Sequence, residues 1–463
     1  MSSTPPPPSP NKPQPSQHAF QAPTGTRDFY PAELNRLRYI QDAWRKTSIN
    51  HGFEEIDGPT FEHLELYTAK SGEGIVSELF SFERFGGEKT FALRPEFTPT
   101  LARMYASKAA SLPKPTKWFW QQNCYRAERP QRGRLREFSQ WNVDFLGGAD
   151  AVEIATPYLI GDFEILACCI ALLNEMGLTA QDVRVKINYR QVVENQLVEK
   201  GVPVTLLPKA LQLLDGAKKS SREELSARAI SQGIPFGAIT PFLDSDVVSI
   251  KELGTSAENP VLSRLRSEMD SWGLTDWCEM DPGIVRGLAY YTGMVFEVHE
   301  ATGAERAIAG GGRYDKLIET FGGPPTPAVG FGMGDVVLSL VLQDKGLMPK
   351  DDEIAERLGQ RPDALVIAYE DKNDAAKSAA AEAAIAPTLA ALRKGVDGKP
   401  GLHARRSYKT TKNVGKLIQD AAKIRARFCV IIESATTAQL KNMDTQEQTP
   451  VALSDLPKLI AKR

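Results

Sequence analysis

The stretch YRAERPQRGRLREFSQWNVDF, Tyr125 to Phe145, decides how this chain folds. Both of its ends read as β-strands, and the loop between them carries five arginines from Arg126 to Arg136. Charge runs are normal at a solvated hairpin tip, but a basic loop between antiparallel strands also suits a polyphosphate, because guanidinium groups pair with two phosphate oxygens at once. The stretch therefore predicts a hairpin whose tip is either solvated or phosphate-binding.

The second strand of this hairpin carries polar side chains on one face. Gln140 and Asp144 are four residues apart, so their side chains point to the same side of a sheet as that of Asn142. Burying such a row is unfavourable unless it meets a polar ligand. The spacing therefore predicts a ligand site on this face of the sheet.

Length and composition indicate a globular protein of two or three domains. The chain has 463 residues, of which 42% are hydrophobic and 25% charged. Its net charge of −2 excludes a globally basic nucleic-acid binder, while 56 Lys and Arg remain available for a local basic face. Five cysteines form no CxxC pair, which favours a reducing cytoplasm and argues against structural zinc. No apolar run approaches the roughly 20 residues that span a membrane.

The sequence divides into a tail and three regions. Residues 1–21 are rich in Pro and Ser, which predicts a disordered tail. Residues 22–345 read as an α+β core with an antiparallel sheet, interrupted at about 190–278 by an inserted helical module. From 361 to 463, strands and helices alternate as βαβαβ, which predicts a small parallel α/β domain.

Three further segments combine arginines, carboxylates and aromatic residues. They are ALRPEFTPTLARMYA from Ala92, RGLAYYTGMVFEVH from Arg286 and GGGRYDKL from Gly310. With GTRDFYP near the start, the arginine-rich hairpin and AVGFGMG from Ala328, they follow the block order of histidyl-tRNA synthetases, a family of class II aminoacyl-tRNA synthetases. The chain resembles this family from about Thr24 to its C-terminus, most specifically in the RGL-x-YYTG and GGGRYD segments.

The resemblance implies a fold and an activity. The fold is a class II antiparallel-sheet catalytic core, with a helical insertion that leans on the tRNA acceptor arm and a C-terminal anticodon-binding domain, in a homodimer. The activity is that of a cytoplasmic histidine–tRNA ligase, which joins L-histidine to ATP, with Mg²⁺ accompanying the ATP and no prosthetic group, and then charges tRNA(His). Because the substrate carboxylate is itself the nucleophile, the protein supplies positioning and charge stabilisation.

The resemblance also implies site residues. Arg126 and Arg286 match family arginines that hold the α-phosphate, and they are the expected catalytic residues. The expected ATP contacts are Arg126, Arg134, Arg136 and Arg286. The expected histidine contacts are Glu96, Thr98 and Gln140 towards the α-ammonium, Asp144, Tyr290 and Tyr291 around the imidazole, and also Phe97. No metal ligand set is expected from the protein.

Two positions depart from the family pattern. Ala289 stands where RGLDYY has an aspartate, and Asp335 and Val336 stand where a Glu-Arg pair follows the glycines, with an arginine that clamps ATP. That loss favours an alternative, a synthetase-like regulatory subunit of ATP phosphoribosyltransferase that binds but does not aminoacylate. A class II synthetase for another amino acid is a second alternative, which the YYTG and GGGRYD segments argue against. The C-terminal α/β domain favours the ligase.

That C-terminal region gathers basic side chains around an aromatic one. LHARRSYKTTKNVGKLIQDAAKIRAR, from Leu402, contains eight Lys and Arg residues and Tyr408. A solvated helix face has such charges, and so does a surface that tracks phosphates and stacks an unpaired base. Together with the βαβαβ pattern, the stretch predicts tRNA binding.

Overall fold

The structure is a computed structural model, and it describes residues 20–71, 73–148, 160–217, 220–243, 247–252, 260–284, 291–395, 400–409, 411 and 413–461. The chain forms two compact units, one comprising Met1–Tyr30 with Ile40–Met348 and the other Pro31–Tyr39 with Pro349–Arg463. Most of the predicted tail, up to residue 19, lies outside the described residues. Within those ranges, no helix combines the length and the hydropathy that crossing a bilayer would need.

The first unit contains most of the strands and helices. Its strands are β1 (Glu54–Glu55), β2 (Phe61–His63), β3 (Ser81–Glu83), β4 (Thr90–Leu93), β5 (Thr116–Tyr125), β6 (Glu137–Leu146), β7 (Val183–Tyr189), β8 (Val248–Ser249), β9 (Cys278–Met280), β10 (Met294–Glu300), β11 (Ala309–Arg313) and β12 (Ala328–Gly334). Its helices are α1 (Pro31–Asn50, which begins in the other unit), α2 (Leu64–Ser71), α3 (Thr98–Lys108), α4 (Ile160–Glu175), α5 (Arg190–Glu199), α6 (Leu207–Asp215), α7 (Arg222–Ser231), α8 (Phe236–Leu243), α9 (Pro260–Ser271), α10 (Leu317–Thr320) and α11 (Asp335–Asp344).

A nine-stranded sheet forms the centre of this unit. Its order is β1-β5-β6-β12-β11-β10-β7-β9-β8, and the pairs from β5 through to β7 are all antiparallel. The hairpin predicted from the arginine-rich stretch is the β5–β6 pair, in which Trp118 lies opposite Asp144 and Gln122 opposite Gln140. The antiparallel sheet with helices on it confirms the α+β class II fold.

One face of the sheet packs against helices through aromatic side chains. Trp141 of β6 stacks on Trp44 of α1 with ring centroids 6.1 Å apart, and meets Phe331 of β12 edge-on at 5.0 Å. All three rings are buried. A buried Trp removes roughly 200 Å² from water, which is worth about 5 kcal/mol at roughly 25 cal/mol per Å². This packing leaves the alternate side chains of β6 on the opposite face, where the site lies.

The opposite face carries a second core beside the polar row. Phe97, Trp118, Trp120 and Tyr314 are buried together there with side chains of α3 and α10. Because this core encloses one end of the face, it keeps water from the polar side chains next to it.

The region predicted as an inserted module contains the helices α5 to α9 and the short strand β8. Val193 and Leu197 of α5, Leu211 of α6 and Phe242 of α8 form a core of their own with neighbouring side chains. The role of this region stays a prediction.

The second unit is built on a five-stranded sheet. Its elements are α12 (Asp351–Arg357), β13 (Ala364–Ala368), α13 (Ala375–Lys394), β14 (Ala404–Arg406), α14 (Val414–Lys423), β15 (Phe428–Ile432), β16 (Thr437–Asn442), β17 (Gln448–Ala452) and α15 (Leu456–Ala461). The order is β14-β13-β15-β16-β17, with β14, β13 and β15 parallel. These three strands and the helices between them are the βαβαβ pattern read from the sequence, and β16 and β17 add an antiparallel extension.

Candidate active site

The candidate active site lies on the sheet face where β6, β12 and β11 run side by side. β12 has glycine opposite each polar residue of β6, with Gly330 facing Asp144 and Gly332 facing Asn142. A Cβ atom on Gly330 would lie 2.0 Å from Asp144 Oδ1, and one on Gly332 would lie 3.1 Å from Gln140 Nε2. Because these glycines have no side chains, the polar groups of β6 extend over the backbone of β12 and form a floor.

Asp144 is the most deeply buried member of the polar row. The hydroxyl of Tyr314 donates to its Oδ1, while Oδ2 is buried without a hydrogen-bond partner among the described residues. Burial raises the pKa of Asp144 to about 7, and it does so against the Tyr314 hydrogen bond and the positive charge of Lys70, both of which lower it. Asp144 can therefore accept a hydrogen bond from a polar ligand through Oδ2.

A second carboxylate, Glu96, lies within electrostatic range of Asp144. The ammonium of Lys70, near the end of α2, donates to Glu96 Oε2 at 2.6 Å. The Lys70 side chain is only 9% exposed and that of Glu96 is 27% exposed, so the pair is largely withdrawn from water. The negative charge of Glu96 raises the pKa of Asp144, which places both carboxylates in one electrostatic environment.

Arg126 joins the two segments that carry the carboxylates. Its Nε donates to the carbonyl of Pro95 at 3.1 Å, and its guanidinium lies 5.1 Å from the centroid of the Phe138 ring. The backbone N–H of Tyr125 also donates to the carbonyl of Arg94 at 2.9 Å. These bonds hold Arg126, at the start of the basic loop, directly beside Glu96.

Cys124 contacts Gln140 and lies within electrostatic range of Arg126. The Cys124 thiol donates to Gln140 Oε1 at 3.5 Å. Burial raises the pKa of Cys124 to about 12, although the nearby arginines Arg126 and Arg94 lower it. A thiol with so high a pKa is not a nucleophile at neutral pH. Cys124 is therefore a packing residue, and Gln140 and Arg126 both lie near it.

The side chain of Phe97 packs beside the site, and its predicted contact with histidine stays a prediction. Phe97 is fully buried, and its ring stacks on Trp120 at a centroid distance of 4.3 Å and an interplanar angle of 2°. The ring therefore belongs to the core and fixes the backbone between Glu96 and Thr98. Thr98 begins α3 and is half-buried, so it remains a candidate for contact with a ligand.

Tyr291 closes the site on the β11 side. A Cβ atom on Gly312 would lie 2.9 Å from Cδ1 of the Tyr291 ring, so this ring also covers a glycine of the floor. The next residue, Thr292, donates from Oγ1 to Asp315 Oδ2 at 2.7 Å, which joins the YYTG segment to GGGRYD. The other two residues predicted in this segment, Arg286 and Tyr290, lie outside the described residues.

The two other arginines of the basic loop that were predicted to contact ATP, Arg134 and Arg136, have partners within the protein. Arg134 forms an ion pair with Glu128. Arg136 donates to the backbone carbonyls of Glu128 and Thr24, at 3.3 Å each, and packs over Gly25. Arg136 therefore braces the N-terminal segment. The predicted contacts of Arg134 and Arg136 with ATP both stay predictions.

The departure at Asp335 is explained by the N-terminal segment. Asp335 is buried at the first position of α11, where it accepts from Arg27 Nη2 and from the N–H of Ser139, both at 2.8 Å. Burial raises the pKa of Asp335, and the charge of Arg27 lowers it. The carboxylate thus ties GTRDFYP to β6 and the start of α11. The neighbouring Val336 has no charge with which to hold a nucleotide.

Sequence reasoning missed two residues of the site. Tyr314 lies in GGGRYDKL, a segment that the sequence did single out, but only the structure pairs its hydroxyl with Asp144. Lys70 lies in a helix with no distinctive motif, and no signal in the sequence connects it to Glu96. In the part of the chain that the structure describes, no group of three His, Cys, Asp or Glu could hold a metal ion.

A large antiparallel sheet, with an arginine at the base of a hairpin and a buried carboxylate over a glycine floor, is the catalytic architecture of a class II aminoacyl-tRNA synthetase. A model of the family described as histidyl-tRNA synthetase matches residues 25–335. Since that match covers more than half of the chain, the protein belongs to the histidyl-tRNA synthetase family.

Individual relatives agree with this family. A histidine–tRNA ligase of Haloarcula marismortui is 36% identical over 448 residues, which are 94% of this chain and 96% of the relative. The chloroplastic/mitochondrial histidine–tRNA ligase of Arabidopsis thaliana is 33% identical over 446 residues, covering 94% and 85% of the two chains.

Solved structures with lower identity share the fold. A histidyl-tRNA synthetase from a Nostoc species aligns with a TM-score of 0.67 at 24% identity, over 96% of this chain and all of the other. A Bacillus halodurans protein, described as an ATP phosphoribosyltransferase regulatory subunit/histidyl-tRNA synthetase, aligns with a TM-score of 0.62 at 21% identity, over 90% and 99%. At these identities the likeness concerns the fold alone.

Proposed function

We propose that the protein is a histidine–tRNA ligase, which activates L-histidine with ATP and transfers it to tRNA(His). The observation that carries the proposal is a pair of carboxylates, of which Asp144 lies over the glycine floor and Glu96 lies within electrostatic range of Asp144. Asp144, hydrogen-bonded by Tyr314, suits the N–H of an imidazole, and Glu96 suits an α-ammonium. An amino acid with both groups matches the two ends of this site.

Histidine recognition follows from which atoms are engaged. Tyr314 occupies Oδ1 of Asp144, so the imidazole N–H is assigned to Oδ2, which is buried and has no partner among the described residues. Lys70 occupies Oε2 of Glu96, so the α-ammonium is assigned to Oε1, beside Thr98 and Gln140. A buried acceptor left unmatched costs roughly 1–3 kcal/mol, so side chains without an N–H at this position are rejected.

The chemical step needs positive charge more than a protein nucleophile. The histidine carboxylate attacks the α-phosphorus of ATP, the bond to the β-phosphate oxygen breaks, and pyrophosphate leaves with its electron pair. Arg126, held beside Glu96 by its bond to Pro95, is proposed to stabilise the negative charge that develops on the α-phosphate. We assign the same task to Arg286. Mg²⁺ is proposed to arrive bound to the ATP phosphates.

The nucleotide is proposed to lie along the basic loop. Arg134 is the next candidate after Arg126 for a phosphate contact, and it must exchange its partner Glu128 for the nucleotide. An Arg134→Ala variant is therefore expected to raise the KM for ATP more than the KM for histidine.

The C-terminal unit is proposed to bind the tRNA anticodon. Several of its basic residues have acidic partners, since Arg406 pairs with Glu382 at 3.1 Å and Lys409 with Asp420 at 2.6 Å. Among the described residues of the basic stretch from Leu402 to Arg427, the exposed Arg405, Lys416 and Lys423 are the proposed phosphate contacts, and Tyr408 is 86% exposed. An aromatic ring this exposed suits stacking on an unpaired base better than core packing.

A homodimer is proposed on the exposed face of the three-stranded sheet β2-β4-β3. Phe61, Phe82 and Phe91 pack against one another at centroid distances of 5.6–5.9 Å, yet Phe61 is 48% exposed and Phe82 is 42% exposed. An aromatic patch of this kind marks an interaction surface. Sedimentation should give a dimer for the parent protein and a monomer for Phe82→Asp, and a Phe82→Asp protein that remains dimeric would contradict this surface.

The cytoplasm is the proposed location. Its support is the five cysteines, all buried and free of disulfide bonds, which suit a reducing compartment.

The function is tested by ATP–pyrophosphate exchange with the purified protein. Exchange should require histidine and should be followed by charging of tRNA(His). The regulatory-subunit alternative predicts no exchange and binding to a phosphoribosyltransferase chain, while a synthetase for another amino acid predicts exchange with that amino acid instead.

A further inference from the structure

The turn between β7 and α5 forms hydrogen bonds to both sides of one segment near the site. Asn188 Nδ2 donates to the carbonyl of Ile284 at 3.1 Å and to that of Pro282 at 3.3 Å. Two residues further on, Arg190 Nη1 donates to the carbonyl of Tyr291 at 2.8 Å. Residues 285–290 lie outside the described residues, and the residues on either side of them both bond to this one turn.

Further bonds fix the residues that follow Tyr291. The backbone N–H of Arg190 donates to the carbonyl of Gly293 at 3.0 Å, and Gln191 Nε2 donates to the carbonyl of Thr292 at 3.1 Å. Three consecutive carbonyls therefore accept from the first two residues of α5. Since α5 opens the helical region, the start of that region sets the backbone path of the YYTG segment.

The Tyr291 ring also lies between two cores. One is the core of the helical region, which contains Val193 and Leu197, and the other is the core beside the polar row, which contains Phe97 and Tyr314. Packing on both sides restricts the ring, but the carbonyl bond from Arg190 sets the position of the backbone that carries it.

The guanidinium of Arg190 is itself held in place. Its Nε donates to Glu194 Oε1 at 2.7 Å, one turn along α5, and its side chain is 22% exposed. A charged donor makes a stronger bond to a carbonyl than a neutral one. The Arg190 guanidinium therefore connects the helical region to the pocket, with one bond to Glu194 on α5 and one to the backbone of Tyr291.

We propose that Arg190 is a positioning residue for Tyr291, through which the start of the helical insertion sets the shape of the histidine pocket. The inference rests on the proposed function, because it takes Tyr291 as a contact of the imidazole. It goes beyond that function by giving the insertion a role in amino-acid recognition that is separate from binding tRNA.

Arg190→Met is the direct test, with ATP–pyrophosphate exchange as the assay. The variant should raise the KM for histidine roughly tenfold, the effect expected for the loss of one charge-assisted hydrogen bond. The KM for ATP and kcat should stay near the parent values, because Arg126 and the basic loop do not depend on this bond. Glu194→Gln is the matched control, since it weakens the ion pair on α5 and keeps the bond to Tyr291.

A double-mutant cycle separates positioning from general support of the fold. If Arg190 acts through the Tyr291 ring, adding Arg190→Met to Tyr291→Ala should leave the KM for histidine about the same as in Tyr291→Ala alone. If the two substitutions instead raised the KM for histidine independently, so that their fold-changes multiplied in the double variant, the inference would be overturned. Arg190→Lys keeps a charged donor near the carbonyl, so it should fold and retain most of the affinity for histidine, and a Lys variant as impaired as the Met variant would also count against the inference.

The same experiment distinguishes the two proposals. If Tyr291→Ala leaves the KM for histidine unchanged, the pocket assignment fails and the inference fails with it. If Tyr291→Ala raises that KM but Arg190→Met does not, only the inference is overturned.

Discussion

Replacing Asp144 with asparagine changes a single oxygen of the proposed histidine pocket. The Tyr314 hydroxyl donates to Oδ1, so the amide oxygen of the variant keeps that side and the NH₂ group takes the place of Oδ2. An imidazole N–H assigned to Oδ2 then meets a second donor. A mismatched buried group beside a charged partner costs roughly 1.5–3 kcal/mol, which is roughly a ten- to hundredfold loss of histidine affinity.

ATP–pyrophosphate exchange reports this loss directly. The KM for histidine should rise roughly ten- to hundredfold. The KM for ATP should stay within about twofold of the parent value, because Asp144 lies outside the region proposed to bind the phosphates. Glu137→Gln is the matched control, since it makes the same carboxylate-to-amide change at the start of the same strand. Equal rises in both Michaelis constants for Asp144→Asn would refute the reasoning.

The pKa of Asp144 gives the variant a second signature. Burial raises this pKa from 3.8 to about 7, so the folded protein holds the proton more tightly than the unfolded chain. The associated stability is present below the ordinary pKa and is lost as the pH rises through about 7, by about 4 kcal/mol in all. Asparagine does not titrate, so the variant should not show this loss. Between about pH 5 and about pH 8, the free energy of unfolding of the parent should therefore fall by about 2–3 kcal/mol relative to that of the variant, as denaturation would measure. A difference that is independent of pH would contradict the assigned burial of the charge.

Three other variants test the phosphate contact, the glycine floor and the proposed tRNA surface. Arg126→Ala should slow exchange by roughly a hundred- to a thousandfold with the fold intact, as circular dichroism would show, because one stabilising contact in the transition state is worth about 3–4 kcal/mol. Gly332→Ala, whose Cβ would lie 3.1 Å from Gln140 Nε2, should raise the KM for histidine several-fold with little change in Tm. Lys416→Glu with Lys423→Glu should weaken tRNA binding and flatten its salt dependence in filter-binding assays, and an unchanged slope would exclude these lysines.

The pattern along the strands predicted the fold well, because alternation and turn residues act locally. The β5–β6 hairpin and the shared face of Gln140 and Asp144 are both present. The β16–β17 extension was missed, since its turn depends on Asn442, whose side chain accepts the backbone N–H groups of two following residues, and on Gln446 with a positive φ of 67°. Neither residue belongs to a common turn dipeptide.

The site was predicted less completely, because sequence spacing does not say which side chains meet across elements. Lys70 reaches Glu96 from near the end of α2, and Tyr314, just after β11, reaches Asp144 of β6 across β12. The resemblance predicted Phe97 as a contact of histidine, which stays a prediction, while its stacking on Trp120 is visible only in the structure. In the same way, a run of arginines does not reveal that Arg136 bonds to backbone carbonyls.

Exchange of pyrophosphate into ATP, measured with each of the standard amino acids in turn, tests the central claim most directly. The pocket formed by Asp144, Tyr314 and Glu96 predicts exchange with histidine, at a rate far above that with any other amino acid. Fully folded protein that shows no histidine-dependent exchange, or that exchanges equally well with an amino acid lacking an imidazole, would contradict it.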